Sequence, residues 1–141
     1  MKKGKVFGML ALILLIGMFA CGWYMFNEIF PKAQPIRTPK IEEISTISVA
    51  VNNDDEFEIE DVDLEELFEH IKNAKLTREQ SVNDYPPIGN GFYRIEVQTP
   101  EMEYRYFVYE RGEQVYIEMP YEGIYTADSW LFSFVIKYFE E

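Results

Sequence analysis

The fold turns on FYRIEVQTPEMEYRYFVYERGEQVYIEM, residues 92–119. Phe92–Gln98 alternates, with Tyr93, Ile95 and Val97 on one face and Phe92, Arg94, Glu96 and Gln98 on the other. That period of two marks a strand with two different faces. Thr99, Pro100 and Glu101 turn the chain, Glu103–Glu110 forms the next strand, and Arg111 with Gly112 makes a hairpin tip. Gln114–Met119 returns with Val115, Ile117 and Met119 on one side, and the Pro120–Gly123 turn ends it. Three antiparallel strands in a meander follow from these residues alone.

Upstream, Ile44–Val51 is rich in β-branched residues and reads as a strand. Asn52–Asp55 turns, and Glu56–Glu60 alternates as the returning strand. Asp63 offers an N-cap with Glu66 three residues on, and Leu64, Leu67, Phe68 and Ile71 follow at helical spacing. The helix is expected to reach about Lys75. Residues 76–91, LTREQSVNDYPPIGNG, form a long connection of turn-forming residues. Downstream, WLFSFVIKYF, residues 130–139, fits a helix capped by Asp128. The order β-β-α-β-β-β-α predicts an α+β domain, a small antiparallel sheet with helices on one face.

Val6–Phe26 is a run of 21 uncharged residues. At about 1.5 Å per residue it matches the roughly 30 Å apolar core of a bilayer. Lys2, Lys3 and Lys5 precede it, which favours a cytoplasmic N-terminus and an extracytoplasmic C-terminal domain. The expected organisation is a cytoplasmic tail (1–5), a transmembrane signal anchor (6–26), a Pro-rich stalk (27–40) and a domain (41–141). The lipid bilayer is then a partner of residues 6–26. Met18–Gly22 also resembles a bacterial lipobox around Cys21, a candidate lipidation site. Phe19 and Met18 fit that pattern poorly.

The chain has 141 residues and a formal charge of -12. From Ile41 onward 24 acidic residues face 7 basic ones, a net charge of −17. Such a domain is repelled by nucleic acid, so nucleic-acid binding is excluded. One cysteine and one histidine leave neither a disulfide framework nor a multi-imidazole metal site. The acidic run 52–63 fails the EF-hand pattern, with Phe57 and Asp63 where Gly and Glu are needed. Helical spacing turns His70 toward solvent. No serine sits in a Gly-x-Ser-x-Gly elbow, and no catalytic residue, metal ligand or cofactor is assigned. The aromatic residues are more informative. Phe92, Phe107, Tyr109 and Tyr116, near Arg94, share a sheet face, and either they form a partner surface or a second layer covers them. The SVNDYPP loop, residues 81–87, and the PYEGIY turn with Tyr121 are further candidate contact elements.

The Ser81–Pro86 loop (SVNDYP), the strand Tyr106–Glu110 and the segment Tyr116–Tyr125 (YIEMPYEGIY) resemble a small extracytoplasmic domain family of unknown function from Gram-positive bacteria. Its members carry an N-terminal membrane anchor or lipobox. The resemblance implies an anchored α+β domain and no known activity. The leading expectation is a non-enzymatic interaction or sensing module, its partner another membrane or envelope protein. A lipoprotein binding a small envelope ligand or divalent cation is the alternative, and a small hydrolase is a third reading.

Overall fold

The computed structural model describes residues 2–29, 34–89 and 91–140. The chain divides into two units, one with the N-terminal helix and one beginning at Ala33. Residues 30–33 of the expected stalk, and Asn90 of the long loop, lie outside the described residues.

Helix α1, Lys2–Ile29, runs 28 residues and is about 42 Å long. Its Gly4–Ile29 stretch has a mean hydropathy of 2.3 in its most apolar window and buries nothing against protein. A helix this greasy and this exposed is long and apolar enough to cross a membrane. Cys21 lies within it, exposed.

The second unit is an antiparallel α+β fold. Its strands are β1 (Thr46–Val51), β2 (Phe57–Glu58), β3 (Lys75–Leu76), β4 (Tyr93–Gln98), β5 (Glu103–Arg111), β6 (Gln114–Met119) and β7 (Gly123–Ala127). They form one seven-stranded sheet in the order β2-β1-β4-β5-β6-β7-β3. The meander pairs in the register its alternation demands, with Ile95 opposite Tyr106 and Val108 opposite Ile117. Tyr106, Val108, Ile95, Val97 and Ile117 therefore share the face on which helix α2 (Leu64–Lys72) and helix α3 (Ser129–Ile136) pack. Leu67, Phe68 and Ile71 of α2 and Leu131, Phe134 and Val135 of α3 supply the other half of this core. Each such side chain contributes about 1.5–3 kcal/mol when fully buried.

Both helix caps sit where the sequence puts them. The Asp63 carboxylate accepts from the Glu66 N–H, and the Asp128 carboxylate accepts from the Leu131 N–H. Asp128 also faces His70, its second oxygen 2.6 Å from Nδ1. A carboxylate can only accept, so Nδ1 carries the proton. The imidazole stacks on Trp130 with ring centroids 4.0 Å apart. His70 thus joins α2 to α3 rather than pointing to solvent, because the end of α2 packs against the start of α3.

Two strands extend the expected pattern. Helix α2 stops at Lys72, short of Lys75, when Asn73 closes it with a bond to the Glu69 carbonyl. The next residues, Lys75 and Leu76, then pair with Thr126 and Tyr125 of β7. Strand β7 in turn pairs along β6, so the PYEG turn is a hairpin tip and not an end.

The segment 34–40, expected as a free stalk, lies against the domain. Tyr106 donates its hydroxyl proton to the Arg37 carbonyl at 2.7 Å, and Tyr125 donates to the Gln34 carbonyl. Arg37 forms a two-pronged ion pair with Glu122, and Ile36 packs on the core. Pro35 and Pro39 hold the strap extended, and tyrosine hydroxyls emerging from the core need acceptors, which the strap carbonyls provide. Tyr106→Phe is expected to lower stability by about 1 kcal/mol and to speed proteolysis within 34–40. Thermal unfolding with limited proteolysis of the full chain in detergent checks both.

Candidate functional site

The sheet face opposite the helices carries Arg94, Glu96, Arg105, Phe107, Tyr109, Tyr116 and Glu118, as the period of two requires. Cross-strand register sets Arg94 opposite Phe107 and Phe107 opposite Glu118. Phe92, Phe107 and Tyr109 form a second, smaller core with Ile88 and Tyr116 against them. Phe92 and Phe107 meet edge to face at 5.1 Å, and Tyr85 packs 5.7 Å from Phe107. The long loop between β3 and β4 is therefore the layer over this face. Three of the candidate contact residues lie inside the protein: Phe107 is 0% exposed, Tyr109 2% and Phe92 8%.

What holds the loop down is polar and buried. Glu118 is 2% exposed. Its carboxylate accepts from the Ser81 hydroxyl at 2.5 Å and from the Tyr109 hydroxyl at 3.1 Å. Burial, with the facing carboxylate, pushes the Tyr109 phenol well above its ordinary value. The Ser81 oxygen also accepts from the Tyr121 N–H at 3.2 Å, and the Tyr121 hydroxyl donates to Asp84 at 2.7 Å. One serine thus joins the loop, strand β6 and the hairpin tip.

Tyr121 sits at φ 61. This left-handed backbone costs a bulky residue about 1–3 kcal/mol and persists only where its surroundings enforce it. Here the enforcing contacts are Ser81 and Asp84. The tip is nonetheless solvent-facing, with Tyr121 65% exposed. Val82 at 64% and Tyr85 at 40% add apolar surface on the same loop.

The remaining candidates are half-covered. Tyr116 stacks on Tyr109 at 5.7 Å, with the Arg111 guanidinium 4.3 Å above its ring. Arg111 reaches the loop's first half through a two-pronged pair with Glu79, at 2.6 and 2.8 Å. The Arg94 side chain, 11% exposed, brings its buried Nε 2.9 Å from Glu96 as an ion pair without a hydrogen bond, and Glu96 accepts from Arg105. Burial is the main cause that raises the Glu96 carboxyl above the usual range, with the neighbouring Glu56 adding to it and the two arginines opposing. Sequence reasoning missed the roles of Ser81, Asp84 and Glu118. The SVND run was the available signal, since Ser, Asn and Asp in one loop supply hydroxyl and carboxylate partners. Among the described residues no three His, Cys, Asp or Glu side chains gather as ligands for a metal ion.

A family model described as a domain of unknown function (DUF5300), named DUF5301, matches residues 32–126, which takes in the strap, the loop and the PYEG hairpin. The chain belongs to this family. It is also similar to a solved NMR structure of a protein from Ruminococcus gnavus, with 28% identity and a TM-score of 0.53 over 64% of this chain and 89% of that one. No curated protein matches.

Two outcomes follow from this geometry. Ser81→Ala leaves a buried carboxylate with one donor and the Tyr121 N–H with none, so stability is expected to fall by about 1–3 kcal/mol. Hydrogen exchange should rise across 81–85 and 120–122 before it rises in β5. Glu96 holds its proton more tightly folded than unfolded. Its contribution to stability is therefore greatest below the ordinary carboxylate range, and it declines as pH rises from there through the raised folded value. Glu96→Gln should flatten that part of the stability–pH curve, measured by denaturant unfolding at successive pH values.

Proposed function

We propose that this protein is a single-pass membrane protein whose acidic α+β domain acts outside the cytoplasm as a non-enzymatic recognition module. The observation that carries the reading is α1. It is an unburied helix whose apolar run is of membrane-spanning length, with lysines at its start and a domain of net charge −17 after it. Like charge keeps such a domain off anionic headgroups and free to meet a partner.

The contact element in this reading is the loop–tip pair, Val82, Tyr85 and Tyr121. The aromatic residues beneath it act as the floor that makes it rigid. A rigid aromatic surface loses little entropy when bound, and backbone strain maintained at an exposed turn is a common companion of function. Membership of DUF5301 is compatible with this assignment and adds no activity to it.

Protease added to sealed native cells is expected to digest a tag placed after the domain. Crosslinking should recover a membrane or envelope protein from unmodified cells. The Tyr85→Ala, Tyr121→Ala pair should reduce that yield about tenfold or more, as removal of interface hot spots does. A tag that survives until lysis would overturn the outward placement, and undiminished recovery with the double variant would overturn the loop–tip surface.

A further inference from the structure

A second surface lies at the other edge of the sheet. Strand β2 pairs with only Ser48 and Val49 of the six-residue β1. One more bond joins the arms, from the Ile59 N–H to the Ile47 carbonyl at 2.9 Å. Continued register would set Thr46 against Glu60 and Ser45 against Asp61, but no backbone bond forms there. Asp61 instead takes a left-handed turn, φ 55, and leads the chain away into α2. The splayed arms leave a groove of about 300 Å³. Ile44, Val62 and Leu64 line it with partly exposed apolar surface, and the exposed Glu58, Glu60 and Asp61 stand at its mouth.

The charge of this mouth is unbalanced. Several of the domain's few basic residues are engaged elsewhere: Arg37 faces Glu122, Arg94 and Arg105 face Glu96, and Arg111 faces Glu79. Glu58, Glu60 and Asp61 are exposed and face no cation among the described residues. Residues 54–69 hold ten acidic side chains and no basic one. Like charges this close raise the free energy of the bare surface, and a cationic occupant relieves it.

We propose that this groove binds an extended cationic peptide segment of an envelope protein or peptide, which adds to the sheet where β2 stops. Three features select that occupant. The interrupted edge suits extended backbone, the apolar floor suits every second side chain, and the acidic mouth suits Lys or Arg at the positions between. A segment alternating apolar and basic residues meets all three at once. An acidic or helical segment meets neither the charge nor the edge. This site is separate from the loop–tip surface, so either can fail without the other.

The test uses the full chain in nanodiscs of zwitterionic phosphatidylcholine, which do not attract cationic peptide. The probe is a labelled eight-residue peptide alternating lysine and valine. Its controls are an isomer with lysines and valines in separate blocks and a glutamate–valine analogue. Fluorescence anisotropy reads affinity, and hydrogen exchange reads location. The alternating peptide should bind in a saturable, salt-sensitive way and protect 44–47 and 58–62. Binding should weaken by about tenfold or more in the Glu58→Gln, Glu60→Gln, Asp61→Asn variant, whose unfolding midpoint verifies folding, and should be unchanged in Tyr121→Ala. Absence of binding would overturn the proposal. So would equal binding of the block isomer without protection, which marks diffuse charge attraction, or protection confined to 81–85.

Discussion

A carboxylate buried without a cation organises this domain. Glu118 lies on the sheet face away from the helices, and among the described residues the hydroxyls of Ser81 and Tyr109 are what satisfy it. A buried carboxyl group left without its hydrogen-bond partners costs more than a hydrogen bond contributes, so the arrangement tolerates little slack. Ser81 arrives from a long loop, and its presence commits that loop to the sheet. Once committed, the loop covers Phe92, Phe107 and Tyr109 with Ile88 and Tyr85 and becomes the second layer of the fold. The hairpin tip follows, because the same hydroxyl oxygen accepts from the Tyr121 N–H.

The two sheet faces are thus held by different physics. The helix face is an ordinary apolar core in which Tyr106 and Tyr125 send only their hydroxyls outward to the strap. The opposite face mixes aromatic rings with carboxylates and guanidinium groups, so its stability depends on partners being present in the right geometry. The described residues of loop 77–91 have little regular backbone bonding of their own and rest on a few side-chain contacts. Local opening of this loop is therefore expected to cost less than opening the meander beneath it.

Much of this was legible in the sequence, and the limits have physical causes. The meander could be read because one face is buried, and burial fixes a period of two over six or more residues. The caps could be read because Asp63 and Asp128 act locally, through the N–H three residues on. Strand β3 could not, since two residues carry no periodicity and Lys75–Leu76 becomes a strand only because β7 is there to pair with it. Strand β7 was obscured by its own turn, GIYTA following PYE without an alternating lead-in. His70 illustrates another limit. Helical spacing places it on the edge of the apolar face, and whether that edge meets water or Trp130 depends on a helix nearly sixty residues away. The same holds for the aromatic face. Alternation puts Phe107 and Tyr109 together, but only the loop's path decides that they are a floor and not a surface.

That distinction shifts where recognition can reside. A face of buried rings cannot contact a partner without unfolding its cover. The accessible chemistry is therefore displaced to the periphery: to the loop–tip pair over the second core, and to the β2 edge where pairing stops. The two regions differ in character. At the loop–tip pair the Tyr121 hydroxyl is already bonded to Asp84 and the nearby cation Arg37 is already paired with Glu122, so what is left to offer is ring surface and shape. At the β2 edge pairing stops beyond Ile59 and, among the described residues, Glu58, Glu60 and Asp61 face no cation, so what is left to offer is backbone pairing and charge. If both proposed surfaces act, two unlike sites on so small a body would let it hold two chemically different partners at a short, fixed separation.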